Sequence, residues 1–195
     1  AVGMGLCDPA VVKQVVTGGP EAIEHLLALG AEFDKTPDGE LDCSREGGHR
    51  HARVVHANGD ATGREIQRVL TNAVTGHDLI TTFSNTFALD IVTVGGEAYG
   101  VVAKASSGNL VLFSSPNIIL ATGGGGQLYR ETTNPTIATA DGVAMAFRAG
   151  ATIRDPEFFQ FHPTCLYIAG AARVLISEIL RGHGGVLRDR YGKRF

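Results

Sequence analysis

The apolar stretch from Asn117 to Ala121 runs without a spacer into Thr122-Gly123-Gly124-Gly125-Gly126. A short continuous apolar run of this kind is typical of a strand buried on both faces. A buried strand that ends in glycines is where α/β proteins bind nucleotides. Glycine lets the backbone approach a ligand, and the exposed N–H groups can face a phosphate. The run is not a Walker A loop, because no Lys-Ser/Thr follows it, and with leucine at position 128 it also misses the dinucleotide fingerprint. A plain glycine-rich turn accounts for the local residues equally well.

Glycine is in excess throughout, with 26 in 195 residues where average usage of ~7% gives about 14. The glycines cluster at 47–48, 95–96, 123–126 and 182–185 without a period, which excludes collagen and indicates tight turns. A chain 44% apolar and 19% charged is globular rather than disordered. Its net charge of −3 and lack of a basic stripe argue against nucleic acid as a partner. The apolar runs are too short to span a bilayer, and no secretory signal pattern is present. Cys7, Cys43 and Cys165 are odd in number and scattered, which fits a reducing cytoplasm better than disulfides or a zinc site. The start at Ala1 and the stop in a turn at Tyr191–Phe195 lead us to expect a piece of a longer protein.

Asp8-Pro9 reads as a helix start, with Val11, Val12, Val15 and Val16 on one face. Gly18-Gly19-Pro20 is expected to break that helix and begin another, which stops at Gly30. Residues 34–53 are polar and turn-rich. A helix is expected over Thr62–Val74. An antiparallel meander follows, with strands at Leu79–Thr82, Phe87–Val94, Tyr99–Ala103 and Leu110–Phe113 and a tight turn at Gly95-Gly96. Asp141 is expected to cap a helix that closes at Gly150.

Two polar clusters stand in the otherwise apolar C-terminal part: Gln160-Phe161-His162-Pro163-Thr164 and Ser177-Glu178-Ile179-Leu180-Arg181-Gly182. Polar groups among apolar ones are costly to bury without partners, so the clusters suggest a site for an anionic ligand. Glu178 and Arg181 are three apart and fall on one helix face. They read either as a structural ion pair or as part of a carboxylate site with a proton relay. Asp141-Gly142 reads as a helix cap, or as an aspartate facing a cofactor hydroxyl. Arg45-Glu46-Gly47-Gly48-His49 is a charged loop whose glycines point to close packing. His49, His51 and His56 are interleaved with Arg50 and Arg53, which disfavours a metal.

Taken in order, seven motifs carry a resemblance: Arg45-Glu-Gly-Gly-His49, Asp60-Ala-Thr-Gly-Arg64, Leu120-Ala-Thr-Gly-Gly124, Thr132-Thr-Asn-Pro135, Asp141-Gly-Val-Ala-Met-Ala146, Gln160-Phe-His-Pro-Thr164 and Ser177-Glu-x-x-Arg-Gly182. The string resembles the flavoprotein family of succinate dehydrogenases, fumarate reductases and L-aspartate oxidases, and is most similar to its aspartate-oxidising branch. The resemblance implies part of a Rossmann-like FAD-binding domain over residues 1–156, of α/β class with the antiparallel meander as an insert. The start of a small capping domain would follow over 157–195. It implies FAD as cofactor, near Ala121, Thr122, Gly123, Gly124, Asp141 and Gly142, with the backbone of Phe87-Ala88 passing the adenine end. Gln160, His162 and Ser177 match substrate-binding residues, Glu178 lies in the same pocket, and Arg181 matches an arginine of proton delivery. His183 departs from the acidic or amide residue of relatives.

Glu46 stands where succinate-handling members carry an aromatic residue. A carboxylate there suits the α-ammonium of L-aspartate and would repel a misplaced carboxylate. The implied reaction is oxidation of L-aspartate to iminoaspartate, with oxygen or fumarate as final acceptor and a link to quinolinate synthase and NAD biosynthesis. A succinate dehydrogenase or fumarate reductase flavoprotein is the alternative within the family, and a non-catalytic fragment the alternative outside it. The family's N-terminal pyrophosphate fingerprint is not found, and its main catalytic arginine is expected beyond Phe195. This stretch alone is therefore expected neither to hold FAD tightly nor to turn over.

Overall fold

The computed structural model describes residues 3–46, 49–162, 164–171 and 173–194. The chain forms two compact units, one of residues Ala1–Thr82 with Ser177–Phe195 and one of Phe83–Ile176.

The first unit opens with α1 (Pro9–Ala28), capped as the sequence predicts: Asp8 Oδ1 accepts from the Ala10 N–H at 2.8 Å. The helix does not break at Gly18-Gly19-Pro20 but runs through it. Pro20 withdraws a single ladder donor. Ile23, Leu26 and Leu27 pack on the core and hold the second half in place. Gly30 then ends the helix at φ 93°, while the Ala31 N–H reaches back to Leu26 C=O at 3.0 Å. The core beneath consists of Ala31, Phe33, Ala57 and Val69. Val69 belongs to α2 (Thr62–Thr75), close to its expected bounds. Between the helices, β1 (Cys43–Ser44) and β2 (Val54–Val55) pair antiparallel.

Two carboxylates tie these pieces together. Glu65, on α2 and only 7% exposed, accepts from the Glu32 N–H at 2.7 Å. It also accepts from Arg68 at 2.6 and 2.8 Å, while Arg68 reaches Gly30 C=O at 2.9 Å. Arg68 and the Glu32 amide together hold the Glu65 carboxyl down, from an ordinary 4.5 to about 2. Asp34 accepts from the Gly59 and Asn58 amides and from His56 Nδ1–H, all within 3.0 Å, and these lower its pKa in that order.

The second unit contains the expected meander: β3 (Phe87–Val94), β4 (Glu97–Lys104) and β5 (Leu110–Ser114) in consecutive antiparallel order. Gly95 and Gly96 sit at φ 62° and 86°, and this left-handed pair is what a two-residue hairpin turn requires. Leu79–Thr82 forms no strand, and neither does 117–121. A strand needs neighbours for its N–H and C=O groups, and the described residues pair none with either segment. Ile118 and Leu120 instead line a cleft with Ala146 and Ala149, and Ile119 is 92% exposed. These two lining residues belong to or adjoin α3 (Asp141–Arg148). Asp141 is not the cap of that helix but its first residue; Ala140 precedes it at φ 63°. Arg148 bonds Asp90 Oδ2 at 2.9 Å and Leu89 C=O at 3.0 Å, pinning α3 to β3. Short strands β6 (Cys165–Leu166) and β7 (Val174–Leu175) pair antiparallel. In the first unit, α4 (Glu178–Gly182) then follows.

Candidate functional site

Of the expected cofactor residues, the turn at Thr122 and the start of α3 at Gly142 meet in the second unit. Thr122 lies against Gly142, where a Cβ would run into Thr122 Oγ1. The glycine-rich turn and the start of α3 can therefore close only because position 142 lacks a side chain. Gly123 takes φ 73°, a conformation that glycine adopts without strain. The Ala140 N–H donates to Gly124 C=O at 3.1 Å, a second tie between the same two segments. Ala121, Thr122, Gly123 and Gly124 form one side of a cleft of about 380 Å³, with Asn134, Pro135, Ile137 and Ala138 opposite. Gln127 fixes that opposite wall by donating to Asn134 and Pro135 carbonyls at 2.9 and 3.2 Å. The cleft is lined by uncharged residues among those described, small on the glycine-rich side and with Asn134, Pro135 and Ile137 besides. It suits one part of a dinucleotide, approached closely by the main chain. The role of Asn134-Pro135 was legible only as the Thr132–Pro135 motif. Phe87 and Ala88 open β3, with Phe87 exposed. Asp141 Oδ2 accepts from Thr139 Oγ1 at 2.5 Å.

Gln160 and His162 also belong to the second unit. Their stretch is flanked by aromatic contacts: Tyr129 meets Phe159 and Phe161 edge-on, with centroids 4.9 and 5.3 Å apart. His162 Nδ1 lies 2.7 Å from Thr164 C=O. The Thr164 amide nitrogen lies 3.1 Å from the same Nδ1, so the tautomer decides which of the two Thr164 groups the ring bonds. Pro163, expected to fix this chain segment, lies outside the described residues, as do Gly47 and Gly48.

Glu46, Ser177, Glu178 and Arg181 belong to the first unit. The loop 45–53 springs from the β1–β2 pair, and the Arg53 N–H donates to Ser44 C=O at 3.0 Å to close its base. Helix α4 sits directly on this loop, since a Cβ on Gly182 would strike Arg45 C=O. Ser177 Oγ caps α4 by accepting from the Ile179 N–H at 3.3 Å. Glu178 and Arg181 form the ion pair expected from their spacing. Glu46 is half-buried, and its Oε2 is fully buried with no hydrogen-bond partner. His49, on the same loop, buries an unpartnered Nδ1. The sequence signal for His49 was only its place three residues after Glu46.

A glycine-lined cleft joined through Thr122 to the start of a helix is the kind of feature that nucleotide-cofactor domains carry. The chain belongs to the FAD binding domain family, whose profile matches residues 1–195. It is 44% identical to the L-aspartate oxidase of Streptomyces coelicolor, over 99% of this chain and 34% of that protein. It is 45% identical to the chloroplastic L-aspartate oxidase of Arabidopsis thaliana, over 99% of this chain and 32% of that one. Among solved structures, an Escherichia coli quinol fumarate reductase FrdA superposes with a TM-score of 0.88 at 34% identity, over 96% of this chain and 32% of that one. Mycobacterium smegmatis Sdh1 does so with a TM-score of 0.74 at 35% identity, over 92% and 32%. The chain thus spans about a third of the length of the relatives it matches. The fold is that of the FAD-binding flavoprotein subunits, and FAD is the cofactor of the family. No helix among the described residues is long and apolar enough to cross a membrane.

Proposed function

We propose that the protein containing this chain is an FAD-dependent L-aspartate oxidase that forms iminoaspartate. The observation that carries this reading is the buried, unpartnered Oε2 of Glu46. A carboxylate oxygen in that state calls for a donor from outside these 195 residues, and the α-ammonium of L-aspartate is one that succinate lacks. The high identity to proteins named L-aspartate oxidase supports the same choice.

In this reading the turn 121–124, with Asp141 and Gly142, holds FAD by backbone approach, and Phe87-Ala88 passes its adenine end. When bound, FAD supplies the acceptor for the hydride that leaves the substrate Cα. Gln160, His162 and Ser177 bind the carboxylates. The nitrogen must lose protons as the C=N bond forms. Glu178, oriented by Arg181, is placed in this reading to relay one. The capping domain begins near Pro156. The final acceptor is oxygen or fumarate, and iminoaspartate feeds quinolinate synthase in NAD biosynthesis. A reducing compartment such as a bacterial cytoplasm fits the three free cysteines.

A fumarate reductase or succinate dehydrogenase flavoprotein is the second reading, favoured by the 0.88 superposition. Steady-state turnover of the full-length, FAD-loaded protein separates them. Aspartate oxidation should exceed succinate oxidation, and the reverse order would refute the assignment.

A further inference from the structure

Glu46 and His49 stand at the two ends of one backbone hydrogen bond, His49 N–H to Glu46 C=O at 3.0 Å. Each also carries a buried side-chain atom without a partner, Oε2 of Glu46 and Nδ1 of His49. Leaving such an atom unsatisfied is costly, and two on one short loop ask for a common explanation. The base of the loop is closed by the Arg53–Ser44 bond, and the C-terminal end of α4 lies against Arg45 through Gly182.

The chemistry of the two atoms narrows the ligand. A carboxylate oxygen only accepts, so Glu46 needs a donor, best a cation. With its proton on Nδ1, the tautomer assigned to it here, His49 is a donor and needs an acceptor; with the proton on Nε2 the same atom would accept. A simple amine would satisfy Glu46 and leave His49 bare. A simple dicarboxylate would satisfy His49 and leave Glu46 bare. A free α-amino acid presents an ammonium and a carboxylate on the same carbon, and serves both.

We infer that His49 is a substrate-binding and specificity residue whose Nδ1 takes the α-carboxylate while Glu46 takes the adjacent α-ammonium. The loop thereby reads the α-amino-acid head group as a unit. This rests on the aspartate-oxidase reading above and adds to it a residue and a division of labour.

The test uses the full-length protein with its FAD chemically reduced, so that L-aspartate binds without being oxidised, and equilibrium titration with L-aspartate and with succinate. The side-chain amide of asparagine reaches the place of Nδ1, and that of glutamine the place of Nε2. His49→Asn should keep both dissociation constants within about threefold, while His49→Gln should weaken both ligands about tenfold or more. Glu46→Gln should weaken L-aspartate and spare succinate. Equal losses in the two His49 variants, at unchanged FAD content and thermal stability, would reduce His49 to a packing role and overturn the inference. If His49→Gln changes neither ligand by more than twofold while Glu46→Gln still weakens L-aspartate, this inference alone fails. If Glu46→Gln leaves L-aspartate binding unchanged, the aspartate reading itself fails. A crystal structure of the unaltered holoenzyme in its reduced state with L-aspartate gives an answer that needs no variant. It should place a carboxylate oxygen about 3 Å from His49 Nδ1, and a water there instead would count against the proposal.

Discussion

Glu46 and Glu65 are two carboxylates in one unit with opposite circumstances. Glu65 is saturated, by the Glu32 amide and by both arms of Arg68. Glu46 keeps one buried oxygen unmet. The first pattern describes a structural carboxylate, and on the second rests the role proposed for Glu46. Replacing Glu46 by phenylalanine should therefore raise KM for L-aspartate about tenfold to a hundredfold, the worth of a charge-assisted hydrogen bond of ~1.5–3 kcal/mol. Unchanged aspartate kinetics in the full-length enzyme would refute the role given to it. Glu65 predicts a different behaviour. Its folded pKa of about 2 lies below the ordinary 4.5, so folding favours the ionised form. The stability this confers is complete above pH ~4.5 and is lost as pH falls towards 2. Asp34, lowered by the Gly59 and Asn58 amides, acts with the same sign. Glu65→Gln should unfold at lower urea than the parent at pH 6, and the gap should narrow between pH 4.5 and 3. A gap that stays constant would mean that charge is not what Glu65 contributes.

Among the elements, two glycines set where helices sit. Gly142 admits Thr122, and Gly182 admits Arg45 C=O. Neither has a positive φ; both are needed for space. Gly142→Ala would push the glycine-rich turn off the start of α3, an overpacking that costs about 1–3 kcal/mol. FAD affinity of the full-length protein should fall about tenfold, read by flavin fluorescence on titration. Adding Thr122→Gly should recover part of the loss by clearing the collision. An FAD affinity unchanged in Gly142→Ala would detach this closure from cofactor binding. The helix that runs through Gly18-Gly19-Pro20 carries a related lesson. Local breakers lowered its propensity, but the packing of Ile23, Leu26 and Leu27 on Phe33 and Val69 outweighs them.

Across the whole molecule, large apolar side chains are conspicuous at the surface. Val15 and Val16 of α1 are 68% and 69% exposed, and Leu79 is 90% exposed. The buried apolar residues, by contrast, are mostly small: four of the seven among the described residues are alanines. Patterned apolar stripes without a cover promote association. Expressed without further sequence, these 195 residues should bind a hydrophobic dye strongly and sediment as more than a monomer. Changing Val12, Val15 and Val16 together to Lys should reduce both signals. Dye binding that ignores those substitutions would show that the stripe on α1 is not the sticky surface.

The meander, α2 and the caps at Asp8 and Gly30 could be read from the chain because each rests on contacts a few residues apart. Turn glycines, strand alternation and helix periodicity are local physics. So was the Glu178–Arg181 pair, three residues apart on α4. The order of the motifs also makes the FAD-binding family legible in the sequence. The fate of 117–121 could not be read this way, because an apolar run becomes a strand only where neighbours pair with it. Nor could the sequence tell the saturated carboxylate of Glu65 from the unmet one of Glu46. Both are glutamates in polar company, and what separates them is which donors the fold carries to their oxygens. Arg68 and Glu32 reach the one, and among the described residues nothing reaches the buried oxygen of the other.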